Sequence, residues 1–586
     1  MKECFILSLL LSLSLTALPS PVSLALHTTK YPQESSPTLP ATGMTFIVSN
    51  ANDTGMGSLR QAILEANASP GTDVISFSIG SGVQTVSPLS ALPTITDPVI
   101  IDGTSQPGFS GSPIIELDGS KEGAGANGLD ITAGSSTVKG LVLNNFSGVC
   151  IQLAARGNNT ITGNYIGTDL TGTLALGRFG TGVLVFNTPD NMIGGDMPGA
   201  GNLISGNKDG VDIFGSAATG NWVQGNYIGT DVSGTAALGN SSAGVVVLLG
   251  SYNTIGGTMA GAANVISSNG VGVFLFVGAT GNQIAGNLIG TSANGVGALG
   301  NVIGVRMVSA DNNSIGGTSS GAGNRIAYNR FAGVSVKCGA SCSVNNSILS
   351  NSIVSNIGLG IDLDENGVTL NNSCGVNRGP NMLQSFPALT SVISNGFAVT
   401  IQGTLNSTPN KTFLIQFFAN SHCHPSGFGE GETFVGSTSI ETNNCDATFN
   451  VTLPAAIRPG QVITATATDE SGNTSEFSQC IPVIEVAQFD VCIQDNGNGN
   501  VLRINSSTGD YQFTNCSGFT LSGTGGLIKR GAIITMQHYA GDRRVLARID
   551  GGVNKATAYI QAQGLTLTIT DRNTADDTCV CTDVKQ

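Results

Sequence analysis

One string, Asn164-Tyr165-Ile166-Gly167-Thr168-Asp169, returns as Asn226-Tyr227-Ile228-Gly229-Thr230-Asp231 and again as Asn287-Leu288-Ile289-Gly290-Thr291-Ser292, at spacings of 62 and 61 residues. A second series, Ile193-Gly194-Gly195, Ile255-Gly256-Gly257 and Ile315-Gly316-Gly317, recurs at 62 and 60. Repetition of this kind constrains the fold more than any other feature, because a short repeat cannot bury its own apolar face and must stack on its neighbours. Each period divides into two turns of three very short apolar segments. The first segment alternates, as in Val183-Leu184-Val185 and Val245-Val246-Val247; the other two open on Asn with Ile or Val two places on, as in Asn191/Ile193 and Asn202/Ile204. Three strands per turn, stacked about nine times between 140 and 360, predict an all-β fold built on a right-handed parallel β-helix.

In such a stack each strand pairs with its equivalent one coil away, roughly 4.8 Å along the axis. Inward Val and Ile then form continuous columns, and Asn at the corners is expected to take the left-handed turn and to hydrogen-bond from coil to coil. Val74 to Phe77, Val99 to Asp102 and Ile114 to Leu117 extend the stack towards the N-terminus. An open β-helix end is an aggregation edge. The segment Ser58 to Asn67, with Leu59, Ala62, Ile63 and Ala66 on one face, predicts a helix placed to cap it.

Composition narrows the function classes. The 24 basic against 38 acidic residues, net -14, exclude a nucleic-acid binder built on a basic face. With 40% hydrophobic residues and only 11% charged, the chain is not a disordered acidic one.

The repeats resemble those of the pectate-lyase-like superfamily of parallel β-helices. The run Gly57-Ser58-Leu59-Arg60-Gln61-Ala62-Ile63 resembles the CSLREA-type N-terminal motif of secreted bacterial β-helix proteins, with Gly57 in place of the Cys and Gln61 in place of the Glu. The resemblance spans about residues 44–385 and implies a fold, whereas polysaccharide lyases, glycosidases, adhesins and proteins of unknown role all share it.

The ends read separately. Lys2, an apolar stretch from Phe5 to Leu18 and the small-residue site Ser23-Leu24-Ala25 predict a secretory signal peptide over 1–25, followed by a linker over 26–43 and the β-helix over 44–385. No other run is long and apolar enough to cross a membrane. Alternating strands such as Phe413 to Phe418 and Val462 to Thr468, ending in Asp469-Glu470-Ser471-Gly472-Asn473, are similar to bacterial immunoglobulin-like modules and predict a β-sandwich over 386–483. A second small β-rich domain is expected over 484–586, from strands near Val501 to Asn505, Ala532 to Gln537 and Leu565 to Thr570. After signal cleavage eleven Cys remain, and in an exported chain they read as disulfides, with Cys150 left over as the free thiol.

Chemistry is sparse. The outward positions of the first strand read Asp130, Cys150, Leu184, Asp212, Val246, Phe274, Arg306, Ser335 and Asp362, with no acid pair on neighbouring coils, and no catalytic residue or organic cofactor is assigned. Leu184, Val246 and Phe274, with Tyr165 and Tyr227, form a candidate carbohydrate-binding or docking ledge, the alternative being that the adjacent loops Gly167 to Gly180 and Gly229 to Asn240 cover them. Gly123-Ala124-Gly125-Ala126-Asn127-Gly128 matches the dinucleotide glycine pattern but leads into a strand, and His422-Cys423-His424 reads as a loop with a disulfide cysteine. The candidate metal site is Asp362, Asp364 and Asn366, at positions one, three and five of a calcium-type loop with Gly367 at six, taken to lie along an extended segment. The expected function is that of an exported, extracellular or cell-surface protein, adhesive or structural, whose repeat face meets a glycan or protein partner. The alternative is a polysaccharide lyase or glycoside hydrolase with its site near Arg306 and the Asp362 loop.

Overall fold

The computed structural model describes residues 43–178, 180–375, 378–394 and 398–485, and beyond these the strands between 491 and 571. The signal-peptide and linker assignments, and Cys516, Cys579 and Cys581, fall outside the described residues. The first part is a three-sheet parallel β-helix. Its strands recur in the order sheet A, sheet B, sheet C, giving parallel sheets of eleven, ten and nine strands. From Thr137 to Leu363 there are eight coils, one fewer than the sequence count, and every strand pairs with its equivalent in the next coil.

The register places one aliphatic column on the inside of each sheet. Ile161, Ile193, Val223 and Ile255 line sheet A, and Ile166, Ile204, Ile228 and Ile266 line sheet B; all are fully buried. Sheet C strands are long enough to send two residues inward, such as Val211 with Ile213 and Val245 with Val247. The alternation that the short segments display is therefore the inside-outside alternation of strands.

Corners are held by asparagine ladders. In each step the carboxamide oxygen of one Asn accepts the backbone N–H of its counterpart one coil earlier, as in Asn191 to Asn221 at 2.9 Å and Asn202 to Asn226 at 2.9 Å. A third ladder, Asn207, Asn240, Asn269, Asn301, Asn329 and Asn356, stands at the entry to sheet C, where the sequence reading expected glycine alone to make the bend. One further expectation is corrected: the left-handed residue is the one before the ladder Asn, as at Asn158, Gly163, Gly225 and Ser268. The ladder Asn follows the turn, which leaves its carboxamide free to serve the neighbouring coil.

Helix α1 (Leu59–Ala68) closes the N-terminal end as expected. Ser58 is its N-cap, its hydroxyl accepting the Gln61 N–H at 3.2 Å, and Leu59, Ala62, Ile63 and Ala66 are buried in the β-helix core. At the other end the chain enters a β-sandwich of two four-stranded sheets, from Ala388–Ser394 to Ile484–Glu485, with its own core around Val392, Ile401, Phe413, Phe417 and Ile463. The sandwich also seals the β-helix: Phe418 and Phe477 join the β-helix core, and Ile353 and Gly431 exchange backbone hydrogen bonds. Disulfides Cys374–Cys445 and Cys423–Cys480 fasten this region, and Cys338–Cys342 closes a small loop. Antiparallel sheets of four and five strands follow, from Val491–Gln494 to Leu565–Asp571.

Candidate functional site

The outward column of sheet C reads Asp130, Gln152, Leu184, Asp212, Val246, Phe274, Arg306, Ser335 and Asp362. One residue of the sequence reading is thus replaced. Cys150 precedes its strand, is 2% exposed and is the free cysteine among the described residues; Gln152 stands in its place. Burial pushes the Cys150 thiol up to about 12, so it has no thiolate character at neutral pH.

Two residues further along each strand runs a second outward column that includes Phe186, Phe214, Leu248, Phe276 and Val308. Phe186 and Phe214 lie 5.5 Å apart between ring centroids, Phe274 and Phe276 5.0 Å, and the Arg306 guanidinium stands 5.7 Å over the Phe274 ring. With Leu184 and Val246 these residues make a continuous aromatic and aliphatic face across five coils, half-buried except for the exposed Phe186. Tyr165 and Tyr227 are not part of it: they point outward from sheet B.

The face ends in an ion-pair cluster absent from the sequence reading. Arg306 donates to both Glu365 oxygens, at 2.6 and 2.8 Å, while Lys337 donates at 2.8 Å and Ser335 at 2.9 Å. Glu365 reaches them because Asp364 and Glu365 take left-handed conformations, with φ of 80° and 56°. The extended segment expected over Asp362 to Asp364 is therefore a turn after Leu363. Burial raises the Glu365 pKa, but the hydrogen bonds from Arg306, Lys337 and Ser335 outweigh it and hold the carboxyl at about 2. A depressed acid contributes stability above its unfolded value and loses it as pH falls through its folded value. Because Arg306 and Lys337 are partly solvated, Glu365→Gln is expected to cost about 2 kcal/mol at pH 7, a difference from wild type that narrows as the pH falls from 4.5 towards 2 in urea titrations.

Five described acids are shifted in the opposite sense: burial raises Asp362 and Glu430, and three more are raised further. Asp212 is flanked in its column by Leu184 and Val246; burial first, then the nearby Asp209 charge, push it up to about 7 despite a hydrogen bond from Thr181 and the Lys208 charge. Burial likewise raises Glu122 and Glu476 to about 7. Such groups are neutral in the folded state below 7 and ionise at a cost above it. Stability is therefore expected to fall as pH rises from about 4.5 through 7, and a urea midpoint higher at pH 5 than at pH 8 checks it; an equal or lower midpoint at pH 5 would contradict these positions.

Asp362 is buried, and its carboxylate accepts the Asn366 N–H at 3.2 Å. Among the described residues no three His, Cys, Asp or Glu side chains group as metal ligands would. Cys423 of the His422-Cys423-His424 run is disulfide-bonded, and His424 Nδ1 lies 2.8 Å from the Ser426 hydroxyl. Asp130 accepts from Asn127 at 2.8 Å, beside the glycine-rich loop that leads into its strand.

No protein-family model matches the chain, and no curated protein matches it in sequence. Among solved structures, a tailspike protein, gp49 of Acinetobacter baumannii bacteriophage Fri1, described as a capsular polysaccharide depolymerase, is 11% identical with a TM-score of 0.18, over 75% of this chain and 82% of that one. At that level of likeness the depolymerase activity remains a statement about the tailspike.

Proposed function

We propose that this is an exported, extracellular or cell-surface scaffold that binds a glycan or protein partner along the outer face of sheet C and performs no chemistry there. The observation that carries the reading is the continuous face from Leu184 to Val308. Its contiguous apolar surface has the character of an interaction site, and its aromatic rings suit stacking on sugar rings or on apolar side chains. The acids of the adjoining column stand at Asp130, Asp212 and Asp362, the first two about 14 Å apart at the coil spacing, beyond the separation of a hydrolytic carboxylate pair. Membership of the pectate-lyase-like superfamily, the CSLREA relationship of the segment around Arg60 and the immunoglobulin-like character of the sandwich belong to this same proposal.

Phe214→Asp and Phe276→Asp are expected to weaken retention on glycan arrays or host-surface proteins at least tenfold with only a small loss of melting temperature, because both side chains face outward and are half-buried. The lyase or hydrolase reading has one observation in its favour: Asp212 holds its proton to about 7 on this same face. Saturable turnover of a uronic-acid polymer or neutral glycan, abolished by Asp212→Asn, would replace the binding reading with that one.

Calcium at Asp362, Asp364 and Asn366 is proposed as a stabiliser of the last coil. A cation that binds only the folded state raises stability by about 2.7 kcal/mol at a hundredfold excess over its Kd. Melts with calcium and with chelator are expected to differ in wild type and to coincide in the Asp362→Asn, Asp364→Asn double variant; an unchanged wild-type melt would remove calcium from the account.

A further inference from the structure

A second surface lies on sheet B, independent of the face just discussed. Its outward column runs Tyr165, Leu203, Tyr227, so the two rings stand two coils apart, ~9.6 Å at the coil spacing. Over them lie two adjoining cavities of about 560 and 530 Å³ that share Tyr227 and the segment around Pro198 and Gly199. Together they make a groove beside the corners between sheets A and B, and the corner loop around Pro198 and Gly199, from the coil between the two rings, stands where they meet; Thr104 and Phe109 line the first cavity and Ala260 and Gly261 the second.

Both rings are held in place. The left-handed Gly172 (φ 67°) lies against the Tyr165 ring, where a Cβ would stand 3.3 Å from Cε2, and Gly234 (φ 67°) lies against Tyr227 in the same way at 3.2 Å. The repeat thus delivers a tyrosine and its supporting loop together every second coil, and the series stops at Leu288. The groove carries little usable charge: Lys139 is held by Asp102 at 3.0 Å, and Asp196 lines the far end.

We propose that the sheet B groove binds an extended, neutral, linear polysaccharide, with Tyr165 and Tyr227 as stacking platforms one disaccharide apart. Pre-set aromatic rings and a spacing close to the length of two linked pyranose rings are complementary to a sugar chain whose alternate residues present the same face. Paired Lys139 and the Asp196 carboxylate select against a polyanion.

The test uses the full mature chain with β-1,4-linked gluco- and manno-oligosaccharides of two to six residues, and polygalacturonate as the charged comparison. Kd is expected to improve at least tenfold from two to four sugars and little thereafter, and to weaken at least tenfold in Tyr165→Ala and in Tyr227→Ala but only slightly in the Phe variants. Because the rings also pack against loops, protection from tetranitromethane is read on the unmodified protein: the tetrasaccharide should shield Tyr165 and Tyr227 but not Tyr252, which is 71% exposed and lies outside the groove. Failure of all neutral probes to bind, preference for polygalacturonate, or binding without shielding of the two tyrosines would each overturn the proposal. Binding that survives the Tyr substitutions but is lost in Phe276→Asp would overturn it while leaving the sheet C reading intact.

Discussion

Glu430→Ala is expected to destabilise the β-helix by about 3 kcal/mol or more, since buried donors left without an acceptor cost roughly 1–3 kcal/mol each. Glu430 comes from the sandwich and ends the third asparagine ladder: its carboxylate accepts the backbone N–H of Asn356 at 3.0 Å, the Asn356 side-chain amide at 2.9 Å and the Ser355 N–H. Truncation strands all three in a buried corner. Burial raises the Glu430 pKa, so much of its value lies in oxygen acceptors and less in charge, and Glu430→Gln should recover part of the loss by keeping one oxygen for Asn356. Urea unfolding together with amide exchange at Ser355 and Asn356 checks this. An Ala variant within experimental error of wild type, with both amides still protected, would show that the sandwich does not cap this ladder.

The second large effect is expected at Ile228→Asp. Ile228 is fully buried between Ile204 and Ile266 in the sheet B column, and an unpaired carboxylate there either ionises in an aliphatic core or protonates at a cost, in both cases several kcal/mol. Ile266→Asp should behave alike. Val246→Asp, on the outer column of sheet C, should cost under about 1 kcal/mol as a surface change, with a small further penalty from the neighbouring Asp212. Comparable losses at Ile228 and Val246 would contradict the inside-outside register.

The contrast between these sites shows how far the sequence was legible. Ile228 and Val246 could be assigned to opposite faces from alternation alone, because a strand has only two sides and the repeat supplies the partner in the next coil. Helix α1 was legible for a similar reason: four apolar residues at helical spacing followed a serine able to cap them. The Cys150 position was misread because Val149 and Ile151 bracket it as a strand would, while the strand itself starts at Ile151. The third ladder escaped because its Asn residues sit among glycines whose irregular loop lengths blur the period. Glu365, Glu430 and Glu476 escaped for a different reason. Their partners are 28 to 113 residues away, and nothing local distinguishes a carboxylate that will meet Arg306 or Leu363 from one bound for solvent. The turn at Asp364 is likewise set by where Glu365 must go.

The asparagine ladders give the stack a direction. Every carboxamide oxygen takes an N–H from the coil before it, so the last coil presents hydrogen-bond donors with nothing beyond to receive them. The backbone N–H groups of this end find side-chain acceptors in Glu430, Glu476 to the Leu363 and Thr369 N–H groups, Asn381 to Asn346, Gln416 to Ser350, Asn473 to Asn345 and Thr474 to Ile348, while the amides of Asn381, Gln416 and Asn473 donate back. The two ends of the rod are therefore not interchangeable plugs. The sandwich fits only the end that emits donors, and a stack shortened or lengthened by whole 61-residue units would present it with the same array, so the rod's length can vary while its terminal seal is inherited unchanged.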